Sequence, residues 1–295
     1  MVVCWGYSIS EILSPSLPSL KNSAKALQKD NYPTSKPSHQ NHDIKMPFGT
    51  FELTGDAIPQ YAPPYPTGDC DFTGSTILVI TYRTTAHSVA PFVPSMLELE
   101  DEPLITVRLL RHSMTSFGPY NEYTHGVDVR YRGEKYEYFL SLILDNESPV
   151  LAGREQYGFP KKFGTVEFNP SEPRGTRVMC GHVEHPPHQK ILQMNYSPVR
   201  KQAVPDVGMT VESRCMNLRV LPSPIAGQPP SVRELMPLAL KITAKEIWEG
   251  EGSVSFPEPS EVDPMHRIEI VRYESAHFLR EANLWLGPTG EVYSV

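Results

Sequence analysis

Apolar positions along this chain come in short runs that mostly alternate with polar ones, and proline, glycine and aspartate punctuate them. Residues 75–82, Ser-Thr-Ile-Leu-Val-Ile-Thr-Tyr, are β-branched and apolar and predict a buried strand. Thr84 or Thr85 can cap a short helix that runs to Ala90 and is closed by Pro91 and Pro94. Further strands are expected over 104–110, 126–132 and 135–144, the last entered through a turn at Gly133. Residues 150–156 read as a short helix that stops before Pro160. Runs at 165–168, 177–183 and 191–196 alternate as antiparallel strands do. Strands are also expected over 215–221, 235–248 and 268–273, with Glu249-Gly250-Glu251-Gly252 breaking the second of these. Residues 275–285 predict a final strand or a short helix.

The spacing of these runs suits a sandwich or barrel. Composition agrees, since 30 prolines in 295 residues is about twice the usual share. Helix-rich folds tolerate proline poorly, whereas loop-rich β folds accept it. Residues 1–45 lack both a basic leader and a clean apolar run, so no secretory signal is expected. Residues 19–45 are rich in Lys, Ser, Asn, Gln, His and Pro and read as a disordered lead. An upstream coding extension and a weak targeting segment both account for that lead. Met46-Pro47-Phe48-Gly49 marks the expected start of a single domain over 46–295. Residues 58–68 read as a proline- and tyrosine-rich arm lying across a neighbouring element or subunit.

The formal net charge of −7 argues against a nucleic-acid or anionic-membrane partner. No run of 18 apolar residues predicts a spanning helix. Cys4, Cys70, Cys180 and Cys215 are scattered, which fits reduced thiols and a cytoplasmic setting rather than a disulfide scaffold. His182, His185 and His188 lie three apart, but no carboxylate or cysteine pattern supports a metal there. Gly-x-Gly-x-x-Gly and Gly-x-x-x-x-Gly-Lys are absent, which removes the usual nucleotide-binding readings.

The candidate chemistry lies in residues 153–164, Gly-Arg-Glu-Gln-Tyr-Gly-Phe-Pro-Lys-Lys-Phe-Gly. Lys161 and Lys162 are flanked by Phe159 and Phe163, with Pro160 fixing the backbone before them. Paired lysines in a loop are ordinarily two solvated charges. A lysine amine becomes a nucleophile only once it sheds its proton, which burial or a second cation promotes. Neighbours along an extended chain face opposite ways, so burial is the larger expected cause.

The segment resembles the active-site signature of the acetoacetate decarboxylase family: Gly-Arg-Glu, four residues, Pro-Lys-Lys and a following Gly. Other pieces follow in the family's order. They are Tyr82-Arg83-Thr84, Asp101-Glu102-Pro103-Leu104, Gly118-Pro119-Tyr120-Asn121-Glu122 and Leu144-Asp145-Asn146-Glu147. Lys241-Ile242 and Glu246-Ile247-Trp248-Glu249-Gly250 complete a likeness spanning about residues 60–285. It implies an α+β, mainly β fold with an antiparallel barrel-like core, a few short helices and a homo-oligomeric assembly. Acetoacetate decarboxylase is itself a standing example of a lysine activated by desolvation or a neighbouring cation.

By this resemblance Lys161 is the Schiff-base nucleophile, Lys162 its electrostatic neighbour and Glu122 an active-site carboxylate. Arg154 and Glu155 would support the lysine segment. Tyr120 and Tyr157 stand as hydrogen-bonding or wall residues, and Phe159 as a wall of the substrate site. His112 reads as a cavity residue or, more simply, as a satisfied histidine. Two departures stand out. An arginine that the family carries about eight residues before Tyr82 falls at Ser75 or a neighbour. A carboxylate after Asp-Glu-Pro-Leu falls at Val107 or Arg108, so Arg108 or Arg111 becomes a new cation facing substrate.

The implied function is cofactor-independent decarboxylation of a β-keto acid, a small-molecule keto acid or ketone that the changed shell makes bulky, as in secondary metabolism. Schiff-base aldolase, dehydratase or isomerase chemistry and a non-catalytic binding role are the alternatives.

Overall fold

The structure, a computed structural model, describes residues 48–53, 57–66, 70–170 and 177–295. The unit over 51–295 is described below. The expected lead over 1–45 lies outside the described residues.

Among the described residues thirteen strands join one sheet. They are β1 (Phe72–Arg83), β2 (Leu104–His112), β3 (Met114–Thr115), β4 (Tyr120–Tyr131), β5 (Glu134–Leu144), β6 (Lys161–Phe163) and β7 (Thr165–Phe168). The rest are β8 (Met179–Glu184), β9 (Lys190–Lys201), β10 (Met209–Leu221), β11 (Val232–Ser255), β12 (Arg272–Pro288) and β13 (Tyr293–Ser294). The order runs β10-β5-β4-β2-β1-β12-β11-β9-β8-β7, and β10 also pairs with β11. The path therefore returns on itself as a barrel-like ring, with β9, β8 and β7 leaving it as a wing. Among the described residues two short α-helices, α1 (Ala86–Val89) and α2 (Glu147–Tyr157), accompany the strands of this mainly β architecture.

Alternation explains most of the ring. In β1, Leu78, Ile80 and Tyr82 are fully buried while Val79, Thr81 and Arg83 between them are partly exposed, and Ile77 is buried on the other face. Thr85 caps α1, its hydroxyl accepting from the Ser88 amide at 3.3 Å. Asn146 caps α2 through the Ser148 amide at 3.0 Å. Gly158 ends α2 in the left-handed conformation, φ 70°.

Several expectations shift. Residues 249–252 do not break β11, which runs through them. The glycines there permit close approach: a Cβ on Gly252 would lie 2.7 Å from Ile80 Cδ1 and 2.8 Å from Ala276 Cβ. Residues 268–273 are not a strand of their own, since a 3₁₀ turn, Pro264–Arg267, leads into them and β12 starts at Arg272. The ambiguous segment over 275–285 is strand, inside β12. The lysine pair lies on β6 rather than in a loop, and β6 runs parallel to β5. The described part of the arm packs on α2: Ser148 donates to the Pro64 carbonyl at 2.8 Å and the Tyr65 hydroxyl donates to Glu155 at 2.6 Å.

Candidate active site

Parallel pairing sets Lys161 beside Leu142 and Lys162 beside Ile143. Successive side chains of a strand point to opposite faces, so the two lysines part company. Lys161 turns inward with a side chain 11% exposed, and its Nζ lies 3.4 Å from Glu122 Oε1. Lys162 turns to the other face, where its Nζ donates to Asp263 Oδ1 at 2.8 Å and to the Val262 carbonyl. Asp263 also accepts from the Ser141 hydroxyl at 2.6 Å and stands beside His185. The expectation of Lys162 as a second cation in the site is thus corrected: strand alternation sends it to a buried carboxylate elsewhere.

Helix α2 shapes the bed of Lys161. Arg154 Nη1 donates to the Lys161 carbonyl at 3.0 Å and fixes the backbone of β6. Gly153 leaves room for the lysine stem, since a Cβ there would fall 2.7 Å from Lys161 Cδ and 2.9 Å from Cε. Glu155 faces the arm through Tyr65, and its carbonyl accepts from Arg219 Nε at 2.7 Å. Both residues act around the lysine segment rather than in the cavity.

Lys161 reaches a cavity whose walls are largely aromatic and aliphatic. Phe159 lies with its ring centroid 5.3 Å from Lys161 Nζ and 5.4 Å from that of Phe139. The opposite wall carries Leu240 and Ile242 of β11 and Leu284 and Leu286 of β12. The polar lining comes from Arg108, His112, Glu122, Thr124 and Lys161.

Burial works against the Glu122 carboxylate. The Lys161 ammonium and His112 outweigh that and hold it below the ordinary carboxylate value. His112 Nε2 lies 3.4 Å from Glu122 Oε2, while Nδ1 shares a 2.9 Å hydrogen bond with Ser75 Oγ. Ser75 is therefore built into the same network. The Tyr120 ring lies tilted with its centroid 4.7 Å from that of His112, and its hydroxyl reaches Glu122 Oε2 at 3.5 Å. Burial, then Glu122, pushes the Tyr120 phenol well above its usual value.

Of the two candidate arginines only Arg108 lines the cavity, and Glu137 holds it bidentately at 2.5 and 2.9 Å. Burial opposes the Arg108 charge, but Glu137 more than compensates and raises its pKa. Gly126 makes the pair possible, since any Cβ there would overlap the Glu137 carboxylate. Arg111 is removed from the site: three residues along β2 is an odd step, so it faces outward and donates to Asn169 at 2.8 Å. Tyr157 lines an adjoining recess on the other side of Lys161, with Phe117 and Gln156.

Glu137, Thr124 and the engagement of His112 were not found by sequence reasoning. The signal for Glu137 was one carboxylate inside the aromatic run Tyr136-Glu137-Tyr138, matched by one arginine inside the apolar run of β2. A charge on an otherwise buried strand calls for a buried partner. Among the described residues no three His, Cys, Asp or Glu side chains converge as metal ligands. His182 stands near Glu167 and Glu184, apart from His185 with Asp263.

Residues 57–292 match the acetoacetate decarboxylase (ADC) family. The chain is 38% identical over 237 residues to the decarboxylase DEC1 of Cochliobolus heterostrophus, covering 78% of this chain and 92% of that protein. The acetoacetate decarboxylase of Legionella pneumophila superposes with a TM-score of 0.69 at 23% identity, over 85% of this chain and 98% of that one. The enduracididine biosynthesis enzyme MppR, complexed with the condensation product of pyruvate and imidazole 4-carboxaldehyde, gives a TM-score of 0.65 at 14% identity. It covers 84% of this chain and 99% of its own. At these identities the likeness to the two solved structures is one of fold.

Glu122 titrates below its ordinary value of 4.5, so its stabilising contribution is complete above 4.5 and is lost as pH falls through the lower folded value. Glu122→Gln leaves the Lys161 charge unpaired and should cost about 3 kcal/mol near neutral pH. In urea titrations the gap between parent and variant should narrow as the buffer is taken below 4.5. A gap that stays constant with pH contradicts the ion pair.

Proposed function

Because this chain belongs to the acetoacetate decarboxylase family, we propose that it decarboxylates a β-keto acid through a Schiff base on Lys161, with no metal or organic cofactor. The observation that carries the reading is a lysine amine held 3.4 Å from a buried carboxylate inside an apolar cavity. Lys161 attacks the ketone carbon as the neutral amine, its proton having left to solvent, and Glu122 beside the nitrogen holds it in position. The carbinolamine loses water to give a cationic imine. The electron pair of the bond to the carboxylate then passes into the imine, which releases carbon dioxide and leaves a neutral enamine. Protonation at the α-carbon and hydrolysis return the ketone and the lysine.

The apolar walls favour the step in which both the imine and the carboxylate lose their charges. The same walls support a bulky, apolar substrate. Leu240, Ile242, Leu284 and Leu286 offer an alkyl chain a surface that acetoacetate has no chain to cover. Each buried methylene adds about 0.8 kcal/mol, or roughly fourfold in kcat/KM. One observation favours a second reading: Arg108 spends both terminal nitrogens on Glu137, so this cation is not free for a carboxylate. Aldol, dehydration or isomerisation chemistry needs the imine but no leaving carboxylate. The single domain over 46–295, a cytoplasmic setting and a homo-oligomeric assembly belong to the same reading.

Carbon dioxide release from a series of 3-oxo acids of rising chain length tests the proposal. Turnover should rise with chain length in the parent and fall on the order of 10⁴-fold or more in Lys161→Ala. Imine formation with ketones but no carbon dioxide from any acid would favour the aldol reading.

Gly153→Ala should separate positioning from folding. The new methyl meets the flexible stem of Lys161 rather than backbone, and alanine favours the helix. The variant should stay folded and lose no more stability than Glu122→Gln, while turnover falls roughly 100-fold through a displaced amine. Unchanged turnover contradicts the account of the lysine bed.

A further inference from the structure

The register of the ring places Arg108, Thr124, Leu142 and Lys161 in one row. Arg108 pairs with Thr124 between β2 and β4, Thr124 with Leu142 between β4 and β5, and Leu142 with Lys161 between β5 and β6. Residues opposite one another on paired strands share a face, and all four line the cavity. Glu122 sits two residues before Thr124 on β4, about 6.8 Å along the strand. Glu122 draws Lys161 Nζ across to β4, so a group bonded to that nitrogen enters the cavity that Thr124 also lines.

Thr124 is 6% exposed, and among the described residues its Oγ1 has no hydrogen-bond partner. A buried hydroxyl without a partner costs free energy that a ligand group can recover. Its neighbours do not use it. Arg108 is engaged with Glu137, and Glu122 with Lys161 and His112. The position is therefore an unfilled hydrogen-bonding seat inside an otherwise paired polar row.

We propose that the Thr124 hydroxyl donates to the carboxylate of the keto acid bound as an imine at Lys161, and so makes Thr124 a catalytic residue that fixes the bond to be broken. The inference rests on the Schiff-base reading above. A hydroxyl suits this task better than a cation. A cation would hold charge on the carboxylate that must lose it, whereas a neutral donor orients the group and releases carbon dioxide readily. The Arg108–Glu137 pair beside it supplies a neutral wall, and the carboxylate's negative charge is answered by the iminium until both vanish together.

The test uses the full chain and two readouts: kcat/KM for carbon dioxide release from a 3-oxo acid, and borohydride trapping of 2-heptanone, which has no carboxylate. Thr124→Val keeps shape and loses the donor. It should lower kcat/KM about 10- to 100-fold and leave ketone trapping within about twofold, while Thr124→Ser keeps most of the turnover. Thr124→Val turning over like the parent, or losing ketone trapping as fully as turnover, overturns the assignment. If Thr124→Val fails to fold, Thr124→Ser decides against Thr124→Ala, the serine retaining turnover that the alanine loses. Equal turnover in those two overturns the assignment as well. A parent chain that traps no ketone overturns the Schiff-base reading and this inference with it.

Discussion

An ammonium and a carboxylate, both largely removed from water, sit 3.4 Å apart between β6 and β4. Taking either ion out of water alone costs several kcal/mol, so each exists there only because the other does. Holding the pair in place is the work of the surrounding elements. β5 carries β6 on one edge and β4 on the other, which sets the lateral distance. Arg154 ties down the Lys161 carbonyl, Gly153 leaves its stem a groove, and His112 steadies the second oxygen of Glu122. The arm on α2 fastens the helix from outside through Tyr65 and Glu155.

A second buried pair, Arg108 with Glu137, lies in the same cavity and changes what the site asks of a ligand. Its charges cancel locally, and the remaining walls are mostly hydrocarbon. Burial and Glu137 together push the neighbouring Cys215 thiol far up, so that side chain behaves as an apolar wall residue. The site joins two buried ion pairs and an aliphatic surface, and under the proposed reaction that arrangement suits a substrate whose bulk is apolar and whose charge is about to be lost.

Much of the fold was legible because strand-forming runs are a local property: those of β1, β2 and β5 are β-branched, aromatic or apolar, and β7 alternates. Closure of the ring was not, since β10 meets β5 through only Cys215 with Glu137 and Met216 with Tyr138, a parallel pairing that no local pattern announces. Gly250 and Gly252 misled because a glycine admitted for close packing looks like a glycine at a turn. In the site, Lys161 and Glu122 came from a resemblance, and their opposition across β5 required the register. The split between Lys161 and Lys162 follows from period two once the segment is known to be a strand. The same period separates Arg108 from Arg111, and it was missed because β2 was expected to stop at residue 110. Glu137 stayed hidden since its partner lies 29 positions away and meets it only through β4.

Every step of the proposed reaction requires Lys161 to be the amine that meets substrate. Borohydride reduction with acetone, followed by peptide mapping of the whole chain, measures that directly. The expected result is one isopropyl addition, confined to the peptide that carries Lys161 and absent when Glu122 and Lys161 are both replaced. Label on Lys162 or on surface lysines instead, with Lys161 unmodified, would contradict it.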